Sequence, residues 1–225
     1  MTRIAVKVCC MANTGETEMA AEAGADYIGL VGPMPSGPGV LTLEAAAEIA
    51  ANVGSGPKPV LLSSARSAEE LVAEVQAVGA CTVQIVRHVP PEAHRCLAQT
   101  APDLTRWQVI HVEGSSALEQ IAIYHDLVDA FLLDSGRPTM GELGGTGRAH
   151  DWQISRAIVA ATERPVFLAG GLTPENVGDA IARVRPHGVD VCSGVRTGDR
   201  LDSGLLSEFM AAVAEAGASL EAAQS

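Results

Sequence analysis

The stretch that decides the fold is VFLAGGLTPENVGDAIARVRPHGVDVCSGV, residues 166–195. A short apolar run at 166–169 leads through a Gly-Gly turn into a helix-like segment at 174–184, and a second apolar run follows at 189–193. Two strands joined by a crossover helix pair in parallel. The stretch therefore predicts a β/α unit.

The same unit recurs along all 225 residues. Strands are predicted at 4–9, 27–31, 59–62, 82–86, 107–112, 130–134, 166–169 and 189–193, and helices at 16–23, 43–53, 67–78, 91–100, 115–125, 151–162, 174–184 and 203–216. Eight alternating pairs favour a closed parallel sheet. We therefore expect a single (β/α)8 TIM barrel over 1–217, an α/β fold, with 218–225 as a frayed tail.

Helix starts and long loops agree with this scheme. Thr42, Ser67, Asp151 and Thr173 stand where N-caps are expected. The Gly- and Pro-rich segments 32–42 and 135–150 are too long for plain connectors, and both follow strands. Because barrel enzymes keep their active sites at the carboxyl ends of the strands, both are predicted to cover a substrate.

Composition and net charge make some classes of binding partner less favourable than others. A formal net charge of -12 disfavours nucleic acid and anionic membranes, so a small molecule is the expected partner, and the chain is expected to be a monomer or homodimer. The sequence has neither a signal-peptide pattern nor an apolar run of about 20 residues, which predicts a cytoplasmic protein. Five cysteines without CxxC spacing predict reduced thiols and no zinc site.

Side chains alternate along a strand, so the aliphatic residues of segment 4–9 and Lys7 face opposite sides. The aliphatic set must pack against the helices, which places Lys7 inside the barrel. A buried ammonium needs an acidic partner or ligand. Asp190, inward on the neighbouring strand 8, is one candidate, and direct contact of Lys7 with substrate is the other.

The same alternation turns two reactive groups inward. Cys9 lies at the carboxyl end of strand 1 and Asp134 at the carboxyl end of strand 6, three strands away around the ring. A thiol and a carboxyl facing each other across a substrate-sized gap favour acid-base catalysis. The alternatives are a small buried filler for Cys9 and a cap or loop clamp for Asp134. Cys10 is interpreted as structural, and His111 as part of the core or of the pocket wall.

A phosphate site is predicted after strands 7 and 8. Gly170 and Gly171 follow strand 7 and allow close backbone approach, and Ser193 and Gly194 offer further amides after strand 8. Backbone N–H groups at these two loops form the usual phosphate site of such barrels.

These segments resemble a known family, phosphoribosylanthranilate isomerase of tryptophan biosynthesis. The matching segments are VKVCC (6–10, where the family has VKICG), EAGADYIGLV (22–31), FLLDS (131–135), GGTGRAHDW (144–152), LAGGLTPENV (168–177) and RPHGVDVCSGV (185–195). The order and spacing from FLLDS to CSGV are specific to this family.

The resemblance implies an Amadori rearrangement of an N-(5'-phosphoribosyl) amine to a 1-amino-1-deoxyribulose 5-phosphate. Asp134 would be the general acid that protonates the ring oxygen, and Cys9 the general base that removes the C2' proton. Gly145 and Thr146 of the GGTG loop would join the phosphate site. No cofactor and no metal is implied.

The chain departs from the family pattern around the aglycone. No Lys or Arg occurs from 27 to 50, where the family carries an arginine for the anthranilate carboxylate. QIVR at 84–87 replaces QLHG, and Arg196 replaces a glutamate. Arg66 and Arg87 could substitute for the missing cation, or could simply be solvated. The residues expected to bind substrate or support the site are Lys7, Asp190, Gln84, Arg87 and Arg196.

Three hypotheses follow. The chain is a phosphoribosylanthranilate isomerase with a relocated carboxylate site, or it acts on a different ribose-phosphate substrate in a specialised pathway. The third is a non-catalytic sugar-phosphate-binding barrel, which the presence of both Cys9 and Asp134 disfavours.

Overall fold

A computed structural model describes residues 3–35, 37–136 and 151–223. Within those ranges the predicted strands and helices are present in the predicted order. The strands are β1 (Ala5–Val8), β2 (Tyr27–Val31), β3 (Lys58–Ser63), β4 (Thr82–Ile85), β5 (Thr105–His111), β6 (Ala130–Asp134), β7 (Val166–Leu168) and β8 (Gly188–Val191). The helices are α1 (Thr14–Glu22), α2 (Leu43–Asn52), α3 (Ala68–Val78), α4 (Pro91–Thr100), α5 (Ala117–Tyr124), α6 (Trp152–Ala161), α7 (Val177–Val184) and α8 (Ser203–Ala222).

The strands form one closed barrel in sequence order. Every pair is parallel, and β8 returns to β1 with Lys7 beside Asp190 in register. The predicted (β/α)8 architecture is therefore confirmed.

The core has two layers, as the alternation of side chains predicts. Ile4, Val6 and Val8 belong to the large apolar cluster between strands and helices. A smaller cluster fills the barrel interior, and Cys9 is part of it. The inward and outward faces of β1 are thus those expected from the sequence.

Three aromatic rings pack inside the barrel. The rings of Trp107 and Phe167 stack at 4.3 Å between centroids, and Tyr27 packs edge-on against both. Gly188 leaves room for them, because a Cβ there would lie 2.5 Å from the Phe167 ring. Few aromatic residues occur in the chain, but these three make up much of its inner core.

Most helix starts are capped where the sequence predicts. Ser67 forms a capping box with Glu70, and Thr42 and Asp151 accept hydrogen bonds from the first turns of their helices. Thr173 is an exception. The chain forms a turn after it, and α7 begins only at Val177, so the predicted start at 174 is wrong.

The end of the chain packs on the barrel. A 3-10 turn (Ser193–Val195) and a short antiparallel pair, β9 (Arg196–Thr197) and β10 (Arg200–Leu201), lead into α8. This helix continues through Ala222, beyond position 217, where we placed the end of the barrel. None of the described helices combines the length and apolar character needed to span a bilayer.

Candidate active site

Lys7 and Asp190 form a buried ion pair at the centre of the barrel. The ammonium nitrogen Nζ of Lys7 lies 2.8 Å from Oδ1 of Asp190, and the Lys7 side chain has no exposed surface. The predicted pair is confirmed. Burial alone would lower the pKa of Lys7, but the charges of Asp190 and Cys9 outweigh it, so this pKa is raised.

Cys9 lies just past β1, on the inward side, and is buried. Hydrogen bonding from Cys10 lowers the pKa of the Cys9 thiol, and the charge of Lys7 acts in the same direction against the effect of burial. The net direction is downward. The thiolate, the form needed for a base, is therefore easier to form here than at an ordinary cysteine.

Gly29 on β2 provides the space that Cys9 and Lys7 occupy. A Cβ on Gly29 would lie 2.6 Å from Sγ of Cys9 and 3.0 Å from Nζ of Lys7. Sequence reasoning missed this residue. Its signal is a glycine inside the apolar run YIGLV, where a strand gains nothing from glycine unless another group approaches closely.

Asp134 ends β6 and points to the same interior. The residues Ala130 and Leu132 on its side of β6 belong to the interior cluster, and the side chains alternate. Its Oδ1 accepts a 2.7 Å hydrogen bond from the backbone N–H of Ser135. Its charge is among the causes that, after burial, raise the pKa of Asp190. Asp134 therefore shares one electrostatic environment with Asp190, Lys7 and Cys9.

His111 stands beside Asp134, paired in register on β5. Trp107 and Val109 on the same face of β5 belong to the interior cluster, so His111 is directed inward. Its Nε2–H donates to the backbone carbonyl of Val86 at 2.9 Å. Burial lowers the pKa of His111 and favours the neutral ring. His111 is thus buried and directed into the barrel interior, which agrees with both roles expected, core or pocket wall.

The turns after β7 and β8 contain the four glycine and serine residues for which a phosphate site is predicted. Gly170 and Gly171 have φ of +83° and +65°, in the left-handed region that favours glycine. Within the described ranges, neither residue's N–H donates a hydrogen bond. A Cβ on Gly194 would overlap the carbonyl of Leu172, so the two loops lie in direct contact.

Asn176 fixes the loop between β7 and α7. Its Oδ1 accepts a hydrogen bond from the N–H of Thr173, and its Nδ2 donates to the carbonyl of Gly171, both at 2.9 Å. The side chain thus ties Thr173 to the Gly-Gly turn, while the Thr173 carbonyl still accepts from the N–H groups of Asn176 and Val177. Ser193 begins the 3-10 turn on the facing loop and is exposed.

The remaining phosphate-site prediction concerns Gly145 and Thr146. Both lie outside the described residues, as does the whole GGTG segment at 144–147.

Arg196 is held in an ion pair with Glu16. Its guanidinium binds the Glu16 carboxylate at 2.9 Å and donates to the carbonyl of Cys10 at 2.6 Å, and its side chain is only 6% exposed. Glu16 also accepts from the N–H of Leu201. Arg196 therefore supports the end of β1 and is unavailable as a carboxylate clamp.

Gln84 and Arg87 lie at the end of β4. Oε1 of Gln84 and Nε of Arg87 are both buried without a hydrogen-bond partner among the described residues. The backbone carbonyl of Arg87 accepts from Gln108. Arg66, after β3, is exposed. Arg87 and Arg196 are both partly buried with an Nε that has no partner among the described residues, but the terminal nitrogens of Arg196 bind Glu16 and the Cys10 carbonyl.

The described residues hold no group of three or more His, Cys, Asp or Glu side chains arranged to bind a metal ion.

Comparison with known proteins adds the decisive observation. The family model of N-(5'-phosphoribosyl)anthranilate isomerase matches residues 6–212. The chain belongs to the phosphoribosylanthranilate isomerase family. The N-(5'-phosphoribosyl)anthranilate isomerase 2 of Methanosarcina mazei is 38% identical over 192 residues, 85% of each chain.

Solved structures of the family share the fold. The phosphoribosyl anthranilate isomerase of Thermococcus kodakaraensis superposes with a TM-score of 0.76 at 32% identity, over 93% of this chain and 98% of that one. Another family structure, in complex with reduced 1-(o-carboxyphenylamino)-1-deoxyribulose 5-phosphate, gives a TM-score of 0.77 at 25% identity over 93% and 98% of the two chains.

Proposed function

We propose that this protein isomerises N-(5-phosphoribosyl)anthranilate to 1-(o-carboxyphenylamino)-1-deoxyribulose 5-phosphate, a step of tryptophan biosynthesis. The family match supports the reaction. The observation that carries it is the pair of inward-facing groups, Cys9 and Asp134, at the carboxyl ends of β1 and β6 in one electrostatic environment.

Asp134 acts as the general acid. It transfers a proton to the furanose ring oxygen, the C1'–O bond breaks, and the nitrogen lone pair forms the C1'=N bond of a Schiff base. Cys9 then acts as the general base and removes the C2' proton. The C2'–H electron pair forms the C1'=C2' bond while the π pair of the C1'=N bond returns to nitrogen, which gives the enolamine, and this tautomerises to the ketone. Steps of this kind each contribute about 10²- to 10⁴-fold to the rate.

Lys7 prepares Cys9 for this role. Its ammonium, held by Asp190, favours the thiolate over the thiol. The phosphate binds the backbone of the turns at Gly170–Gly171 and Ser193–Gly194, at the other end of the substrate. The substrate is then held with its sugar between Cys9 and Asp134 and with its phosphate at the two turns.

The experiment is turnover of N-(5-phosphoribosyl)anthranilate by the purified protein, followed by chromatography of substrate and product. Cys9→Ala and Asp134→Asn are each expected to lower kcat by about 10²- to 10⁴-fold, with little change in KM. Cys81→Ser, at an exposed thiol before β4, is the control and keeps the parent activity. Unchanged kcat in both site variants would show that the acid-base assignment is wrong.

The anthranilate carboxylate requires a cation that segment 27–50 does not contain. Arg87 is the proposed replacement, because its Nε is buried without a partner among the described residues. Losing one charge-assisted hydrogen bond costs about 1.5 to 3 kcal/mol, so Arg87→Gln should raise KM roughly 10- to 100-fold, and Arg66→Gln should leave it unchanged.

The absent loop arginine also favours a second function, isomerisation of a ribose phosphate with a different aglycone. N-(5-phosphoribosyl)aniline lacks the carboxylate and distinguishes the two. If the parent protein converts it with higher kcat/KM than the anthranilate compound, the second function is correct. If the carboxylate is required, the second function is excluded.

Location in the cytoplasm and a monomeric or homodimeric state are part of the proposal. Cell fractionation checks the first, and sedimentation of the purified protein checks the second.

A further inference from the structure

Two thiols next to the proposed base take no part in the proposed reaction. Cys10 follows Cys9 at the end of β1, and Cys192 precedes Ser193 after β8. Their sulfur atoms lie 2.7 Å apart, although neither cysteine is in a disulfide. A disulfide bond measures about 2.05 Å. The two sulfurs are therefore already close to bonding distance.

The backbone at Cys10 is held in an uncommon conformation. Its φ is +67°, a region that glycine adopts far more readily, and the family pattern VKICG has glycine at this position. Arg196 donates to the Cys10 carbonyl at 2.6 Å. A Cβ on Gly39 would lie 2.9 Å from Cβ of Cys10, so the segment between β2 and α2 packs against the same residue. These contacts fix the Cys10 thiol beside Cys192.

The two thiols differ in access. Cys10 is 5% exposed, whereas Cys192 is only partly buried, beside the exposed Ser193. A small oxidant can therefore reach Cys192 first, and Cys10 is placed to react with the product. This arrangement of an accessible thiol and a resolving thiol is typical of redox-responsive cysteine pairs.

We propose that Cys10 and Cys192 form a reversible disulfide when the protein meets a hydroperoxide. The Cys192 sulfur attacks hydrogen peroxide, an S–O bond forms, the O–O bond breaks and one water leaves. The Cys10 sulfur then attacks the sulfenic sulfur, the S–S bond forms, the S–O bond breaks and a second water leaves. Two thiols lose two electrons and two protons, and the peroxide is reduced to two waters.

The disulfide also changes Cys9, a consequence that rests on the proposed function. Cys10 directly follows Cys9, and the N–H of Cys9 donates to the carbonyl of Val191, the residue before Cys192, so the new bond joins the neighbours on both sides of Cys9. Interaction with the Cys10 thiol also lowers the pKa of Cys9, and a disulfide has no S–H. The other charged groups acting on Cys9 are Lys7 and Asp190, with Arg196 at its carbonyl, and they remain. The thiolate fraction of Cys9 falls, and a loss of kcat/KM at neutral pH is expected.

The test treats the reduced full-length protein with increasing hydrogen peroxide, blocks remaining thiols with N-ethylmaleimide and maps the peptides by mass spectrometry. We expect a Cys10–Cys192 linkage that dithiothreitol reverses, with loss and recovery of activity in parallel. The mapping needs no substrate, so the pair can be tested even if the proposed function fails.

Matched variants separate this pair from other thiols. Cys192→Ser should lose the linkage and the dithiothreitol-reversible loss of activity, each compared with its own reduced form, and Cys192→Ala repeats the test if the serine variant does not fold. Cys81→Ser with Cys96→Ser should behave like the parent. Oxidation of Cys9 in place of the pair, a linkage between other cysteines, or unchanged reversible inactivation in the Cys192 variants would overturn the proposal.

Discussion

At the scale of single residues, the barrel interior depends on one ion pair. Lys7 and Asp190 are both buried, and their attraction offsets a large loss of hydration. Removing one member leaves the other charge without compensation in an apolar layer. The pair therefore makes the interior sensitive to substitutions that change little in volume.

Asp190→Asn is expected to lower the free energy of unfolding by about 3 to 5 kcal/mol, because the Lys7 ammonium then lacks its counter-charge. Urea unfolding followed by circular dichroism measures it. Asp179→Asn is the matched control, since the Arg183–Asp179 pair has side chains 67% and 72% exposed and such pairs contribute roughly 0.5 kcal/mol or less. Equal effects of the two substitutions would contradict this account.

Alternation along strands predicted which residues face inward. The prediction is correct for Lys7, because the aliphatic residues of β1 all lie on one face, which must pack against the helices, and Lys7 lies on the other face. Alternation did not predict the contact of Arg196 with Glu16. Those residues are far apart in sequence. Arg196 lies in the two-residue strand β9, which is too short to show alternation, and Glu16 lies in the helix α1. The chain departs from the family pattern at Arg196, but only the folded geometry gives its role.

At the scale of elements, β2 determines how closely the side chains of Cys9 and Lys7 can approach it. Gly29 has no side chain, and Cys9 and Lys7 fill the space beside it. A strand with a larger residue at this position would displace the thiol or the ammonium. β2 thus contributes to the site by providing space for the side chains of Cys9 and Lys7.

Gly29→Ala is expected to lower stability by about 1 to 3 kcal/mol through overpacking and to reduce activity through displacement of Cys9. Gly217→Ala in α8 is the control: its Cβ would make an ordinary 3.6 Å contact with Ile4, and alanine gains about 0.5 to 1 kcal/mol over glycine in a helix. Thermal unfolding and kcat of both variants test the contrast. A Gly29 variant as active and stable as the parent would refute it.

The extent of elements was predicted less well than their existence. The pattern Thr-Pro-Glu-Asn resembles a helix start, and the N–H of Val177 does donate to the Thr173 carbonyl, but residues 174–176 form a turn and α7 begins at Val177. In the same turn, the Asn176 side chain bonds to Thr173 and to Gly171, and this loop contacts the loop after β8. A local sequence pattern does not include such contacts, so it places a helix start only to within a few residues.

At the scale of the whole molecule, closure joins the two ends of the chain. Counting eight β/α units predicted it, since eight parallel strands form a barrel of a size that side chains can fill. β1 pairs with β8, and α8 covers the junction with Leu206, Phe209 and Val213, all buried. The last helix is therefore part of the core and not an appendage.

Two truncations test where the barrel ends. A chain ending at 202 lacks α8, and burying residues such as Phe209 typically contributes about 1.5 to 3 kcal/mol each, so we expect it not to fold cooperatively. A chain ending at 217 keeps those contacts and loses only the partly buried Leu220 and its neighbours, so its free energy of unfolding should fall by about 1 to 2 kcal/mol. Denaturant unfolding of both chains, with the full chain as control, gives the answer. If the chain ending at 217 also failed to fold, residues 218–222 would belong to the barrel's essential core.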